Sequence, residues 1–281
     1  IRKAVGKNYV IEFRLSGSDR EEGGKTVEET IEFLKRTEDL IDMVHVSAGN
    51  TIKTAKYAIQ GTFMPLGTNV FLAEKIKKAG VKQKVITVGS ITSPEQEEKI
   101  LSDGQADMVA MARALIADPY LPKKALYHHP EDIVPCLRCV ECQATDSSSQ
   151  HMRCSVNPKV AREARNGFVT PKPKKLKHIV IVGGGPAGMN AAITACDIGH
   201  RVTIIEKSGE LGGLLKFTDN DSVKLDLKRY KDYLVRKTLS CGAEIIFNTE
   251  ATAEFVENLR PDAVLIAAGS EPVIPNIPGI E

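Results

Sequence analysis

The stretch His178–Ile198, HIVIVGGGPAGMNAAITACDI, runs from an apolar strand through a glycine turn into a helix, and Arg201–Glu206 follows as a second strand. In such a turn Gly183 permits the tight bend, Gly185 lets the backbone approach a diphosphate, and Gly188 allows the helix to pack closely on the strand. The diphosphate then meets the positive end of the helix that Pro186 and Ala187 open. Glu206 ends the second strand, where a carboxylate can accept hydrogen bonds from ribose hydroxyls, and Lys207 follows it. Strand, turn, helix, strand and acid in that order predict a dinucleotide-binding βαβ fold rather than a plain glycine loop. The fingerprint does not separate FAD from NAD. Gly212-Gly213 offers a second close approach to a diphosphate soon after the acid. Glu244–Phe247 and Ala263–Ala267 read as further strands, the last running into the turn Ala267-Ala268-Gly269.

Upstream lies a basic, proline-bearing stretch, residues 159–177, which reads as a linker. Before it stands Cys136-x2-Cys139-x2-Cys142-x11-Cys154. Three cysteines in so short a run can wrap one face of a cubane, each thiolate reaching a different iron, while a fourth closes the site from a more distant loop. A [4Fe–4S] cluster is the leading reading. Structural zinc, whose sites more often show two separated pairs, and disulfides remain open at this level. The polar run Asp146–Gln150 interrupts the segment, and His128 and His129 beside Pro130 read as a solvated turn.

The first part of the chain alternates short apolar runs with helix signals. Tyr9–Phe13, Met43–Val46, Val85–Val88 and Asp107–Ala110 read as strands buried on both faces, as in a parallel sheet. Thr26-Val27-Glu28-Glu29 is a capping box ahead of a helix over 29–40, and Ser93-Pro94-Glu95-Gln96 opens another that Gly104 closes. Tandem βα units predict either a doubly wound sheet or half of a (β/α)8 barrel, and periodicity does not choose between them. In a barrel, Gly89 after one strand and Ala112-Arg113 after the next would form a phosphate loop, and Arg14 would face the same mouth. His45, inside a strand, reads as a hydrogen-bonded core residue.

The protein has 281 residues, 42% of them apolar and 26% charged, with a net charge of +2. That composition is globular and gives no polyanion-binding footprint. No apolar run approaches the roughly 20 residues of a membrane span, and no leader is legible. The chain opens on Ile1, and the fold reading leads to the expectation that residues precede it. Of the six cysteines, Cys196 and Cys241 stand apart from the cluster. A local cysteine cluster in an α/β chain points to a metal site in a reducing compartment, so the cytoplasm is expected.

Taken together, the strand ending in Arg14, the run GQADMVAMARALIADP (Gly104–Pro119), the cysteine segment ending CSVNP and IVIVGGGPAGMNAA resemble the iron–sulfur flavoenzymes of the old yellow enzyme class. That class includes 2,4-dienoyl-CoA reductase, 2-enoate reductase, bile-acid enone reductases and trimethylamine dehydrogenase. The resemblance implies an α/β chain in four parts. Residues 1–127 would be the C-terminal half of an FMN-binding TIM barrel, and 128–158 an iron–sulfur segment. Residues 159–177 would be the linker, and 178–281 the first part of a Rossmann-like FAD/NAD(P) domain.

It further implies Arg14, Gly89, Ser90, Ala112 and Arg113 as FMN contacts and Cys136, Cys139, Cys142 and Cys154 as cluster ligands. Gly183, Gly185, Pro186, Ala187, Gly188, Glu206, Lys207, Gly212 and Gly213 would hold FAD. Electrons would pass from NAD(P)H to FAD, the [4Fe–4S] cluster and FMN, reducing an activated C=C bond in a small unsaturated carbonyl or acyl-thioester substrate. No nucleic-acid or membrane partner is implied, and a homo-oligomer is left open. The alternatives are an amine dehydrogenase sending electrons outward and a non-catalytic module that binds nucleotide and cluster. Ser90 stands where several family members carry an arginine, and Ile52 and Lys53 occupy the loop where dienoyl-CoA reductase has a histidine. The family's active-site tyrosine is expected upstream, so no catalytic residue is assigned.

Overall fold

The computed structural model describes residues 1–50, 52–144, 151–166, 171–271 and 273–279. The polar run Asp146–Gln150 and residues 167–170 of the linker lie outside the described residues. Two compact units form, Ile1–Arg165 and Asn166–Glu281.

In the first unit, β1 (Glu12–Ser16), β2 (Met43–Ser47), β3 (Lys84–Val88) and β4 (Met108–Ala110) form one parallel sheet in the order β1-β2-β3-β4. Strands that neighbour one another in sequence order wind in one direction, as in a barrel, whereas a doubly wound sheet reverses. The register aligns Arg14 with His45 and His45 with Ile86. On the covered face Val44, Val46 and Val85 pack with Leu34, Leu72 and Ile76 from the helices Val27–Arg36 and Val70–Lys78. Each such side chain, fully buried, contributes about 1.5–3 kcal/mol.

Three expectations need correction. The first strand begins at Glu12 rather than Tyr9, because the Ile11 N–H is taken by the Asp42 carboxylate at 2.7 Å instead of a ladder carbonyl. Nor are all four strands buried on both faces: Glu12, Phe13 and Arg14 are exposed, because β1 forms the edge of the sheet. The capping box is present, with Glu29 N donating to Thr26 Oγ1 at 3.2 Å and Thr26 N to Glu29 Oε2 at 2.8 Å. The helix runs Val27–Arg36, shorter than the expected 29–40 at its C-terminal end. There Thr37 Oγ1 bonds back to the Phe33 carbonyl at 2.9 Å and a turn follows.

In the second unit, β5 (His178–Val182), β6 (Arg201–Ile205), β7 (Glu244–Ile246) and β8 (Ala263–Ile266) form a parallel sheet ordered β7-β6-β5-β8. The order reverses at β5, so the glycine turn that follows β5 sits at the topological switch point, where open α/β sheets bind nucleotides. The helix Pro186–Asp197 packs Ala192 and Ala195 against Ile181, Val202 and Ile204. Among the described residues no helix is long and apolar enough to cross a membrane.

Candidate cofactor-binding sites

The glycine turn of the second unit is a backbone cradle. Gly183 has φ 102°, and a Cβ there would lie 2.4 Å from the Ala267 carbonyl oxygen, so the Ala267-Ala268 turn closes directly on it. A Cβ on Gly188 would lie 1.9 Å from the Gly183 oxygen, and one on Gly213 would lie 2.8 Å from the Gly185 Cα. Gly185 itself is open, the nearest atom to an added Cβ being 3.9 Å away. It is the N-cap of the helix Pro186–Asp197 and makes no side-chain cap bond, so the first-turn N–H groups have no side-chain acceptor at the cap. Ala187 is the exposed residue of that first turn, followed by buried Gly188.

Glu206 lies against the turn. Its carboxylate accepts from Gly184 N at 2.7 Å and from Ser208 N at 2.8 Å. Burial alone would push this carboxyl up. The N–H donors of Ser208 and Gly184 outweigh burial and hold it below its ordinary value of 4.5, so it is ionised at neutral pH. Gly212 N closes the far side of the cradle on the Gly184 oxygen at 3.0 Å. Lys207 is exposed and pairs with Glu271 at 3.5 Å.

In the first unit, Gly89 and Ser90 leave β3 with φ 130° and 51°. A Cβ on Gly89 would meet Asn69 Nδ2 at 2.8 Å and Gln60 Nε2 at 3.2 Å. Ser90 Oγ bonds Gln60 Oε1 at 3.4 Å, and Arg113 Nη1 donates to the Gln60 carbonyl at 2.6 Å. Gly89, Ser90 and Arg113 therefore gather on Gln60, a fully buried residue that sequence reasoning did not single out. Ala112 is the N-cap of the short helix Arg113–Ala117 and contributes no side-chain cap. Arg14 belongs to another part of the sheet, exposed on β1 and aligned with His45. His45 Nδ1 contacts Glu12 Oε1 at 3.0 Å. Burial first, and the Arg14 charge second, push the His45 pKa down, which leaves Arg14 as the cation of that row.

Cys136, Cys139, Cys142 and Cys154 line one small cavity together with Arg113 and Arg138. Positive φ values at Arg138 (49°) and Val140 (65°) bend the chain between the first three cysteines, and Arg138 N donates to Cys136 Sγ at 3.4 Å. The buried Arg138 side chain anchors the loop on the carbonyls of Met64 at 2.5 Å and Thr62 at 3.2 Å. Cys139 Sγ and Ser155 Oγ, 3.3 Å apart, join the triplet to the Cys154 segment, and Asn157 Nδ2 fastens that segment to the Ile116 carbonyl at 2.7 Å.

Burial pushes the Cys136 thiol up to about 11, and burial likewise raises Cys142. Among the described residues no group of three or more His, Cys, Asp or Glu side chains is disposed to hold a single metal ion. Thiolates around one zinc stand only about 3.8 Å apart, given Zn–S bonds near 2.3 Å. A cubane instead places its four ligands on four different irons, one thiolate to each.

Asp118 fixes the approach to this loop. It is buried and accepts from Lys124 Nζ at 2.6 Å, Val134 N at 2.9 Å and Tyr120 N at 3.0 Å. Asp118→Ala removes the carboxylate from a largely buried ion pair and should cost about 3 kcal/mol. Chemical denaturation would read this as a lower midpoint, accompanied by faster loss of iron to a chelator. An unchanged midpoint would show that Asp118 anchors nothing.

Residues 1–132 match the family described as NADH:flavin oxidoreductase / NADH oxidase, and residues 178–228 match the FAD dependent oxidoreductases. The chain is 41% identical to the NADH oxidase of Thermoanaerobacter brockii, over all of this chain and 43% of that protein. It is 35% identical to the cinnamate reductase of Clostridium sporogenes, over 80% of this chain and 33% of that protein. A solved 2-naphthoyl-CoA reductase complex superimposes with a TM-score of 0.92 at 36% identity, covering 99% of this chain and 42% of that one. The chain thus spans about two fifths of the length of the relatives it matches most fully.

Proposed function

The chain belongs to the NADH:flavin oxidoreductase / NADH oxidase family, and from that premise we propose that it acts within an NAD(P)H-dependent ene-reductase. Its substrate would be a small molecule bearing an activated C=C bond: an enoate, an enone or an unsaturated acyl thioester. The overall reaction adds one hydride and one proton across that bond and oxidises the nicotinamide. The observation that carries the reading is that one chain joins a four-thiol cavity to a glycine cradle at a sheet's switch point. The related cinnamate and 2-naphthoyl-CoA reductases lend it the substrate class.

FMN and FAD supply the hydride and single-electron chemistry when bound, and a [4Fe–4S] cluster supplies one-electron transfer between them. The residues of this chain bind and orient. The open backbone at Gly185 and the N-terminus of Pro186–Asp197 would receive the FAD diphosphate, with Gly183, Gly188, Gly212 and Gly213 keeping side chains out of its way. Glu206, held ionised, would exchange its Gly184 contact for ribose hydroxyls. Gly89, Ser90, Ala112 and Arg113 would hold the FMN phosphate, with Gln60 as their shared support. Arg14 would stabilise negative charge at the flavin ring edge, undivided because His45 beside it is neutral. Cys136, Cys139, Cys142 and Cys154 would ligate the cluster.

The test is anaerobic addition of NADH, then NADPH, to the purified flavin-loaded protein. Flavin absorbance should bleach and then recover when an enoate, enone or acyl thioester is added. If neither nucleotide bleaches the flavin, the reductase reading fails. If an alkylamine bleaches it and NAD(P)H does not, the direction of electron flow is the reverse of the one proposed.

A further inference from the structure

Two cysteines outside the cluster cavity meet at the C-terminal ends of two packed helices. Cys196 lies in the last turn of Pro186–Asp197, and Cys241 is the C-cap of Leu225–Ser240. Asn190 Nδ2 and Tyr230 Oη, 3.1 Å apart, join the same two helices. Cys196 packs on the core of Ile181, Val202 and Ile204, and so does Ala243, two residues beyond Cys241. The Cys196 thiol shares a hydrogen bond with Cys241, whose Sγ also reaches the Thr238 carbonyl at 3.2 Å. Both thiols are only partly buried, so a small oxidant has access. Gly242, with φ 88° and open space around it, leaves the Cys241 turn room to close on its neighbour. Burial first and Cys241 second push the Cys196 thiol up to about 12, so Cys196 is the partner that keeps its proton. The attack on an oxidant then falls to Cys241.

We propose that Cys196 and Cys241 form an oxidisable dithiol, which hydrogen peroxide converts to a disulfide that clamps the FAD cradle. The Cys241 thiolate attacks a peroxide oxygen: the S–O bond forms, the O–O bond breaks, and water leaves. The Cys196 sulfur displaces the oxygen of the resulting sulfenic acid: the S–S bond forms, the S–O bond breaks, and a second water leaves. The two thiols lose two electrons and two protons, and the peroxide takes them up. The bridge ties together two supports of the cradle. Pro186–Asp197 carries Gly185 at its N-cap and Gly188 in its first turn. Leu225–Ser240 grips the segment that Gly212-Gly213 opens, through the ion pair of Lys231 with Asp219. A covalent tie limits how far the two helices can part, so FAD leaves the oxidised protein more slowly. The bridge is independent of the cofactor reading above, and its effect on FAD rests on that reading.

The experiment treats the flavin-loaded holoprotein anaerobically with equimolar hydrogen peroxide, blocks the remaining thiols with iodoacetamide and maps peptides without reductant. A peptide joining Cys196 to Cys241, two hydrogens lighter than its parts and split by dithiothreitol, is the expected result. Cys196→Ser should stop at a sulfenic acid on Cys241 that dimedone traps, and Cys241→Ser should leave Cys196 a free thiol. Absence of the joined peptide overturns the proposal, as does a bridge from either residue to a cluster cysteine in its place. Gel filtration then compares FAD release: the oxidised wild type should lose FAD severalfold more slowly than the reduced one. Equal rates overturn the clamp. A wild-type protein that never holds FAD is a different result. It sinks the cradle reading and the clamp with it, and the joined peptide alone decides the dithiol.

Discussion

Gly188→Ala should leave the protein without bound FAD while FMN and iron are retained. Alanine favours a helix over glycine by about 1 kcal/mol, so propensity alone predicts a more stable protein. The contact decides otherwise. A Cβ at Gly188 would lie 1.9 Å from the Gly183 oxygen and 3.1 Å from its carbonyl carbon, and these are backbone atoms that cannot swing aside. Gly183 is itself pinned, with its N–H on the Ile205 oxygen at 2.8 Å and the Ala267 turn closed against it. Relief requires the helix Pro186–Asp197 to move off β5, which opens the cradle and buries the core residues Ala192 and Ala195 less well. Overpacking of this kind costs about 1–3 kcal/mol or more, enough to cancel the propensity gain and displace the diphosphate site. Chromatography of the released flavins checks it: FAD should fall far below FMN. Full FAD occupancy in the variant would mean that the turn yields more easily than its backbone contacts indicate.

Cys136→Ser should abolish the cluster, with labile sulfide falling to background. Cys136 is the most buried of the four thiols, and its sulfur already accepts the Arg138 N–H. A serine hydroxyl is a hard, weakly acidic donor that does not replace a soft thiolate on iron, and its shorter reach leaves one corner of a cubane unligated. Cys196→Ser is the matched control. Cys196 shares a hydrogen bond with Cys241, is pushed up to about 12 by burial first and by that neighbour second, and belongs to the other unit. Iron and sulfide should be unchanged in Cys196→Ser. Zinc at one atom per chain in the wild type, with no sulfide, would refute the cubane and leave the cavity as a structural zinc site.

What was legible in the chain was what is local. The glycine turn reads from a few consecutive residues because a diphosphate, a helix end and a tight bend all impose their demands within one turn of backbone. The cysteine triplet reads for the same reason, since its three thiols fall within one short loop. The supports of these sites were not legible. Gln60 meets Arg113 across 53 residues, and Arg138 reaches Thr62 across 76. Neither contact leaves a periodic trace, because a buried glutamine and a carbonyl-bound arginine look in sequence like surface residues. Asn157 lies in the quoted CSVNP run, yet only its bond to the Ile116 carbonyl shows what it does.

The strands of the two units illustrate the division. Sequence alone determined that both are α/β, that one carries a nucleotide turn and that the segment between them carries four thiols. It could not tell a barrel-like sheet from a doubly wound one, because an apolar run records that a strand is buried and not which strand lies beside it. That choice is made by backbone hydrogen bonds between segments far apart in the chain: β1-β2-β3-β4 in one unit, β7-β6-β5-β8 in the other. Strand order in turn decides where the chemistry sits. It puts the glycine turn at the reversal beside β5, and it sets Arg14 on an exposed edge strand, away from the Gly89-Ser90 loop that leaves β3.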